Sequence, residues 1–400
     1  MKKNNLKIKK TSEKKIRRFK KVAIPKIKKK IEKKISKKKQ PPKELLKKKK
    51  GILKKEKRLN LIVLVKSEEN PIIEPKPTSD WENWQTFNPG VILLNNKVHF
   101  LYRAIGRDGL SRFGYAVSND GLIIDERLPQ PVYEHSLTHS KFNYYSLASG
   151  GSFGGAEDPR LVRVDEEDKV YLSYTACDEG LRVALTSIKI KDFLEKKWKW
   201  RVPKLISPPD QVHKNWVIFP EKIGKPIKQY AILHSISPEI LITYRPNLEF
   251  QEGEYIQSYY NGNSQRKNCW DSYWRGAGAP PLKTTKGWLL FYHALDKDDP
   301  GKYKVGALLL DLNDPTKIIC RSPEPILEPT ENYENNGYKG GVVYLSGAII
   351  KNEELLVYYG ASDSYVGVAQ ANLKEFIQSL TQKIKPKLKI KILKKKRNDY

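Results

Sequence analysis

From about residue 80 onward, apolar and polar positions alternate in short runs rich in Tyr, Val, Ile, Trp and Phe, punctuated by Gly, Pro, Asn and Asp. Period-two alternation bounded by turn residues predicts strands joined as hairpins. A helical period is confined to a short segment near 371–380. One pattern recurs: a small or polar opening, a strand, a polar turn, then a strand ending in aromatic or branched residues. Its copies begin "NPGVILLNNKVHFLYRAIG", "EDPRLVRVDEEDKVYLSYTAC", "NWVIFPEKIGKPIKQYAILHS", "GAGAPPLKTTKGWLLFYHALD" and "GGVVYLSGAIIKNEELLVYYGASD". The openings fall near residues 88, 158, 216, 276 and 341, so the spacing is 58 to 70 residues.

Each copy supplies three or four strands, and one antiparallel sheet of that size leaves an apolar face uncovered. Repetition around an axis covers those faces and leaves only short edges. The pattern therefore predicts an all-β chain, a five-bladed β-propeller spanning residues 59–380. A two-sheet sandwich could use the same strands but gives no reason for five similar units. "LNLIVLV" at 59–65 reads as one more strand, too short to span a bilayer.

Charge changes the picture at the ends. The formal net charge is +30. Residues 1–58 hold 29 Lys/Arg against four Glu, and residues 381–400 hold nine against one Asp. Everything between carries 37 basic and 40 acidic groups, close to neutrality. Such Lys-rich runs bury too little apolar surface to offset chain entropy, so 1–58 and 381–400 are expected to be disordered basic tails. Residues 13–39 carry only a thin apolar stripe for a loose helix. A cationic arm could hold an anionic partner, nucleic acid or a membrane surface, without sequence preference. No apolar segment follows the N-terminal lysines, so the expected location is the cytoplasm.

Metal and disulfide chemistry find little support. Cys177, Cys269 and Cys320 are odd in number and far apart, and the six histidines include no helical HxxxH. No glycine-rich phosphate loop or dinucleotide fingerprint is present. The expectation is no metal and no cofactor. The oligomeric state is left open.

In a propeller, polar residues at matching points of several blades converge on the central channel. Those points are Asn88, Arg103, Asp158, Lys214, His234, Arg275, His293 and Asp363. Carboxylates, arginines and aromatic rings together suit sugars. Breaking a glycosidic bond needs a proton delivered to the leaving oxygen. Asp158 is the candidate acid if burial raises its pKa. Pro159 is expected to bias Asp158 towards an extended backbone. Arg160, two residues on, is expected on the same strand face, in an ion pair that orients a carboxylate. Glu157 contacts the sugar or caps the turn, and "YEHSLTHSKFNYYSLASGG" (133–151) reads as a rim segment shaping the pocket.

"GAEDPR", "FPEK", "GAGAPP" before "GWLLFYH", and "YYGASD", in that order over about residues 80–375, resemble glycoside hydrolase family 130. That family comprises inverting β-mannoside phosphorylases and some related β-mannosidases. The resemblance implies a five-bladed propeller and a mannoside oligosaccharide substrate, with inorganic phosphate as co-substrate and α-mannose 1-phosphate as product. It also implies Asp158 as proton donor acting through a hydroxyl of the bound mannose. Asn88, Arg103 and Asp363 then bind sugar, and His293 faces the site.

Phosphorolysis needs cationic donors to hold a dianion in line with the scissile bond. Of three seats the family uses, this chain keeps Lys214, has Ser235 at the second, and has Trp274 at the third with Arg275 one position along. A one-residue slip along a strand turns a side chain to the opposite face, unless the backbone shifts so that Arg275 or Arg245 compensates. Hydrolysis would need a second carboxylate, for which Glu221 and Asp271 are candidates. The alternatives are thus a β-mannosidase, a non-catalytic mannoside-binding propeller, a mannosyltransferase using an activated donor, and a nucleic-acid binder acting through the tails.

Overall fold

The chain is seen in a computed structural model that describes residues 64–137, 150–178, 180–258 and 269–381. Both expected tails, most of "LNLIVLV" and most of the 133–151 rim stretch lie outside the described residues.

β1 (Val65–Lys66) precedes a first antiparallel group of β2 (Gln85–Leu94), β3 (Lys97–Ile105), β4 (Leu110–Ser118) and β5 (Glu126–Arg127). The second group is β6 (Gly154–Val162), β7 (Lys169–Cys177), β8 (Leu181–Lys189) and β9 (Lys204–Leu205). The third is β10 (Val217–Ile218), β11 (Tyr230–Ser235) and β12 (Leu241–Arg245). The fourth is β13 (Tyr273–Ala277), β14 (Leu282–Thr284), β15 (Gly287–Asp296), β16 (Asp299–Leu310) and β17 (Ile318–Arg321). The fifth is β18 (Val343–Lys351), β19 (Glu354–Ala361) and β20 (Tyr365–Asn372), against whose outer strand β1 pairs.

These groups follow the five sequence copies. Hydrogen bonding joins the first two through a short parallel contact, Leu110 with Gly154 and Ser111 with Gly155, and does not close into one sheet. The expected C-terminal helix is α3 (Leu373–Thr381). Two single-turn helices, α1 (Ile190–Leu194) and α2 (Asn332–Asn335), were not expected, being too short to carry a helical period.

Alternation along each middle strand sends its side chains into two different cores. In β3, Leu101 packs against the second group with Leu161 and Leu172, while Phe100 and Tyr102 pack against Leu356 and Tyr358 of the fifth. In β7, Leu172 faces the first group and Tyr171 the third. In β15, Leu290 faces the third group and Phe291 the fifth. The five cores therefore link groups one–two, two–three, three–four, four–five and five–one. Each buried Leu or Phe contributes roughly 1.5–3 kcal/mol, so both faces of every middle strand are occupied by stabilising contacts.

The first strand of most groups is interrupted. Register shifts fall between Phe87 and Gly90, Glu157 and Arg160, Trp274 and Gly276, and Leu345 and Gly347. Bulges of this kind re-aim the side chains of the extra residues.

Candidate active site

The opening of the second copy does not precede its strand: Glu157 and Asp158 lie within β6, where Asp158 and Pro159 together oppose the single residue Tyr174 in the bulge. Asp158 is not extended either: its φ is +50°. The bulge outweighs the bias of the following proline, and Asp is among the residues that tolerate the left-handed region best. Asn88, before Pro89 in β2, repeats the geometry with φ +44°. Its Nδ2 donates to Asp158 Oδ1 at 2.8 Å.

Arg103, carried by β3 and fully buried, braces both carboxylates. Nη1 reaches Asp158 Oδ1 at 3.2 Å and Nη2 reaches Glu157 Oε1 at 2.9 Å. Nε donates to Ser111 Oγ at 2.8 Å, Ser152 Oγ donates to Glu157 Oε1 at 3.2 Å, and the guanidinium lies 4.7 Å from the Phe87 ring centroid. Glu157 is thereby committed to the brace.

Among the described residues Arg160 makes no ion pair of the kind expected. Its Nη1 donates to the main-chain oxygen of Asp158, Nε to Gly278 O at 2.9 Å, and Nη2 to Asn215 Oδ1 at 3.2 Å and Tyr344 Oη at 3.1 Å. The bulge separates the two side chains that simple alternation would have put on one face. Arg160 thus orients Asp158 through its backbone and ties β6 to the fourth and fifth groups. Tyr344 stacks on His293 at 3.9 Å and 17°. His293 Nε2 lies 2.7 Å from Leu345 O, an acceptor, so that nitrogen carries the proton. Nδ1 is left as a buried acceptor with no hydrogen-bond partner among the described residues. Burial and then the Arg160 charge lower the His293 pKa to about 3, so the ring is neutral.

Asp363, in the β19–β20 turn with φ +49°, has no hydrogen bond or ion pair among the described residues. Burial raises its pKa, opposed by the charges of Lys339 and Arg103. The Asp158 carboxyl goes the other way, against expectation. Burial pushes it up, but Arg103, Arg160, Lys214 and the Asn88 bond together hold it below its usual range.

Lys214 is half-buried, and its charge acts on Asp158, His293 and Asp363 alike. Trp274 is buried in the three–four core with its Nε1 on Asp271 Oδ2 at 3.0 Å. Arg275 sits at the β13 register shift. Its Nε donates to Tyr303 Oη at 2.9 Å, and the Tyr303 ring lies 6.1 Å from both His293 and Tyr344. The bulge thus brings Arg275 to the edge of the site. Lys339 Nζ lies over the same Tyr303 ring, 5.9 Å from its centroid.

Five residues weighed from the sequence are elsewhere. His234 packs on Trp216 at 5.3 Å with its nitrogens on Ser258 and Thr243. Glu221 pairs with Lys283, Asp271 accepts from Trp274 and Tyr292, and Arg245 pairs with Glu254. Ser235 bonds the Ser237 carbonyl in its own turn. Conversely, the sequence reading missed Asn215, Tyr344, Tyr303 and Lys339. Asn215, with φ +65°, heads the third group as Asn88 and Asp158 serve the first two, and that recurrence was a usable signal. Nothing local distinguishes Tyr344 from any other strand tyrosine.

Comparison with known proteins adds a family. The model of glycoside hydrolase family 130, described as β-1,4-mannooligosaccharide phosphorylase, matches residues 36–382. A 1,2-β-oligomannan phosphorylase of Thermoanaerobacter sp. (strain X514) is 34% identical over 329 residues, 79% of this chain and 99% of the relative. A β-1,2-mannobiose phosphorylase of the same organism is 33% identical over 321 residues, 76% of this chain and 96% of the relative. The solved β-1,2-mannobiose phosphorylase from Listeria innocua, in complex with β-1,2-mannobiose, superposes with a TM-score of 0.61 at 26% identity. That match covers 79% of this chain and 99% of the other.

Proposed function

The chain belongs to glycoside hydrolase family 130, and from that premise we propose that it is a β-mannoside phosphorylase acting on β-1,2-linked mannosides. Phosphate attacks the mannosyl C1, the bond from C1 to the leaving oxygen breaks, and α-mannose 1-phosphate forms with inversion. Asp158 delivers the proton to the leaving oxygen through a hydroxyl of the mannose. It is reset by the proton carried in with phosphate. Asp363 and Asn88 hold mannose hydroxyls, and the bare Nδ1 of His293 accepts another. Lys214 and Arg275 hold the phosphate. The β-1,2 linkage is supported by the relatives at 33–34% identity.

One observation carries the choice of phosphate over water. Among the described residues, Glu157, Glu221 and Asp271 are each committed to other partners, while the Lys214 charge acts on both Asp158 and Asp363 and Arg275 bonds Tyr303, whose ring lies beside His293. Bound phosphate also answers the low pKa of Asp158. Its negative charge offsets the cations that keep the carboxyl ionised, and so moves Asp158 towards the protonated form that the reaction uses. The hydrolytic reading is favoured by Ser235 and Trp274, which occupy two of the family's phosphate seats.

For the scaffold we propose a five-bladed propeller. The support is the five antiparallel groups and the core that joins the fifth to the first. Incubation with β-1,2- and β-1,4-mannobiose, with and without phosphate, tests the activity. Mannose 1-phosphate formed only with phosphate is the expected result. Free mannose formed equally without phosphate would make the protein a hydrolase.

A further inference from the structure

Four aromatic side chains among the described residues stand out in solvent: Trp84, Phe153, Tyr244 and Tyr338. Scattered exposed hydrophobes need no explanation, but rings that gather beside a functional pocket do. Trp84 and Tyr338, each 43% exposed, pack edge to face with centroids 5.3 Å apart. Both are fastened to the turn that carries Asp363. The Tyr338 N–H donates to Ser364 Oγ at 2.8 Å, and the N–H of Thr86, two residues after Trp84, donates to Ser364 O at 3.2 Å.

The Tyr338 ring also lies on the backbone of Gly151, which has φ +90°. A Cβ there would come within 2.7 Å of the ring. The next glycine back, Gly150, abuts Arg103 in the same way, with a Cβ position 3.1 Å from Nη1. The aromatic pair therefore stands at the lip of the pocket, outward of the buried Asp363 and Arg103. Lys339, held by its N–H to Ser362 O at 2.9 Å, adds an exposed donor beside the rings.

We propose that Trp84 and Tyr338 form a sugar-stacking platform, a distal subsite that takes a mannosyl unit of a β-mannooligosaccharide beyond the linkage being cleaved. The inference rests on the β-mannoside reading of the pocket. Amphipathic rings suit this ligand, because a pyranose presents an apolar C–H face for stacking and a hydroxyl edge to water and to Lys339. A chain too short to reach the lip leaves the platform empty, so the pair would set a preference for longer substrates.

The test is calorimetric binding of β-1,2-linked mannobiose, mannotriose and mannotetraose to the Asp158→Asn protein, which removes turnover from the measurement. Trp84→Ala and Tyr338→Ala are then added to that background. Affinity should rise with chain length, and each alanine variant should weaken the longer ligands about tenfold relative to mannobiose. Tyr338→Phe keeps the ring and should keep the length dependence. An unchanged length dependence in both alanine variants, with mannobiose bound, overturns the platform and leaves the β-mannoside reading standing. No binding of any length, together with no turnover of these mannosides by the unaltered protein, overturns both.

Discussion

Replacing Arg103 by methionine isolates the brace beneath the two carboxylates. Methionine approximates the volume of the arginine stem, so the loss is chiefly the charge and its hydrogen bonds. Arg103 is fully buried and bonds Glu157 at 2.9 Å, Asp158 at 3.2 Å and Ser111 at 2.8 Å. Removing one partner of a buried ion pair costs about 3–5 kcal/mol, because the remaining charge is left without compensation. For a chain of this size about 2 °C of melting temperature corresponds to each kcal/mol, which gives a fall of roughly 6–10 °C.

The pH dependence supplies a sign. In the unaltered protein the Asp158 carboxyl is held below its unfolded value of 3.8. Its stabilising contribution is therefore complete above that value and is lost only as pH falls through the lower folded value. Without Arg103, burial acts with less opposition and the folded value rises. The carboxyl then favours the fold when protonated, and that contribution is lost as pH rises through the raised value. Asp363, which Arg103 also holds down, shifts in the same direction. Calorimetric melting at pH 5 and pH 8 should show the gap between variant and parent widening at the higher pH. A gap of under 2 °C, or one that is equal at both pH values, would refute the assignment of Arg103 as the electrostatic brace.

Three further outcomes are expected. Asp158→Asn should lower kcat for mannose 1-phosphate release by about 10²–10⁴-fold, and a value within tenfold of the parent removes Asp158 from the role of acid. Lys214→Ala should raise the KM for phosphate by about 10–100-fold with a smaller effect on the KM for mannoside, whereas equal rises would put Lys214 on the sugar. Gly360→Ala places a Cβ 1.9 Å from Asn88 Oδ1, so it should cost about 1–3 kcal/mol and lower kcat by displacing the Asn88–Asp158 bond. Gly301→Ala, with nothing within 4 Å of its Cβ, is the control expected to melt with the parent.

Much of this protein is legible along the chain, because it depends on local period and on short motifs. Alternation, turn residues and a recurring opening identified the strands and their five groups. "GAEDPR" and "YYGASD" mark Asp158 and Asp363, two buried carboxyls that the fold sets under the charges of Arg103 and Lys214. Other features depend on how many residues a bulge inserts, which no period reports. For that reason Asp158 proved left-handed where extended backbone was expected. Arg160 proved to hold a carbonyl where a carboxylate was expected, and Arg275 reached the site where a strand slip would have turned it away.

The same limit applies to charge. Burial by itself argued for a raised Asp158 pKa, yet the outcome belongs to Arg103, Arg160 and Lys214, contributed by another strand, by the far side of the bulge in its own strand, and by a loop. Whether a buried carboxyl is acid or anion is decided by the cations that other parts of the chain bring within a few ångströms. The residue types and their order were determined by the sequence alone. Their protonation, their partners, and the exposed Trp84–Tyr338 pair above them were decided by tertiary structure. Electrostatic and stacking energies depend on distances between residues that are remote along the chain.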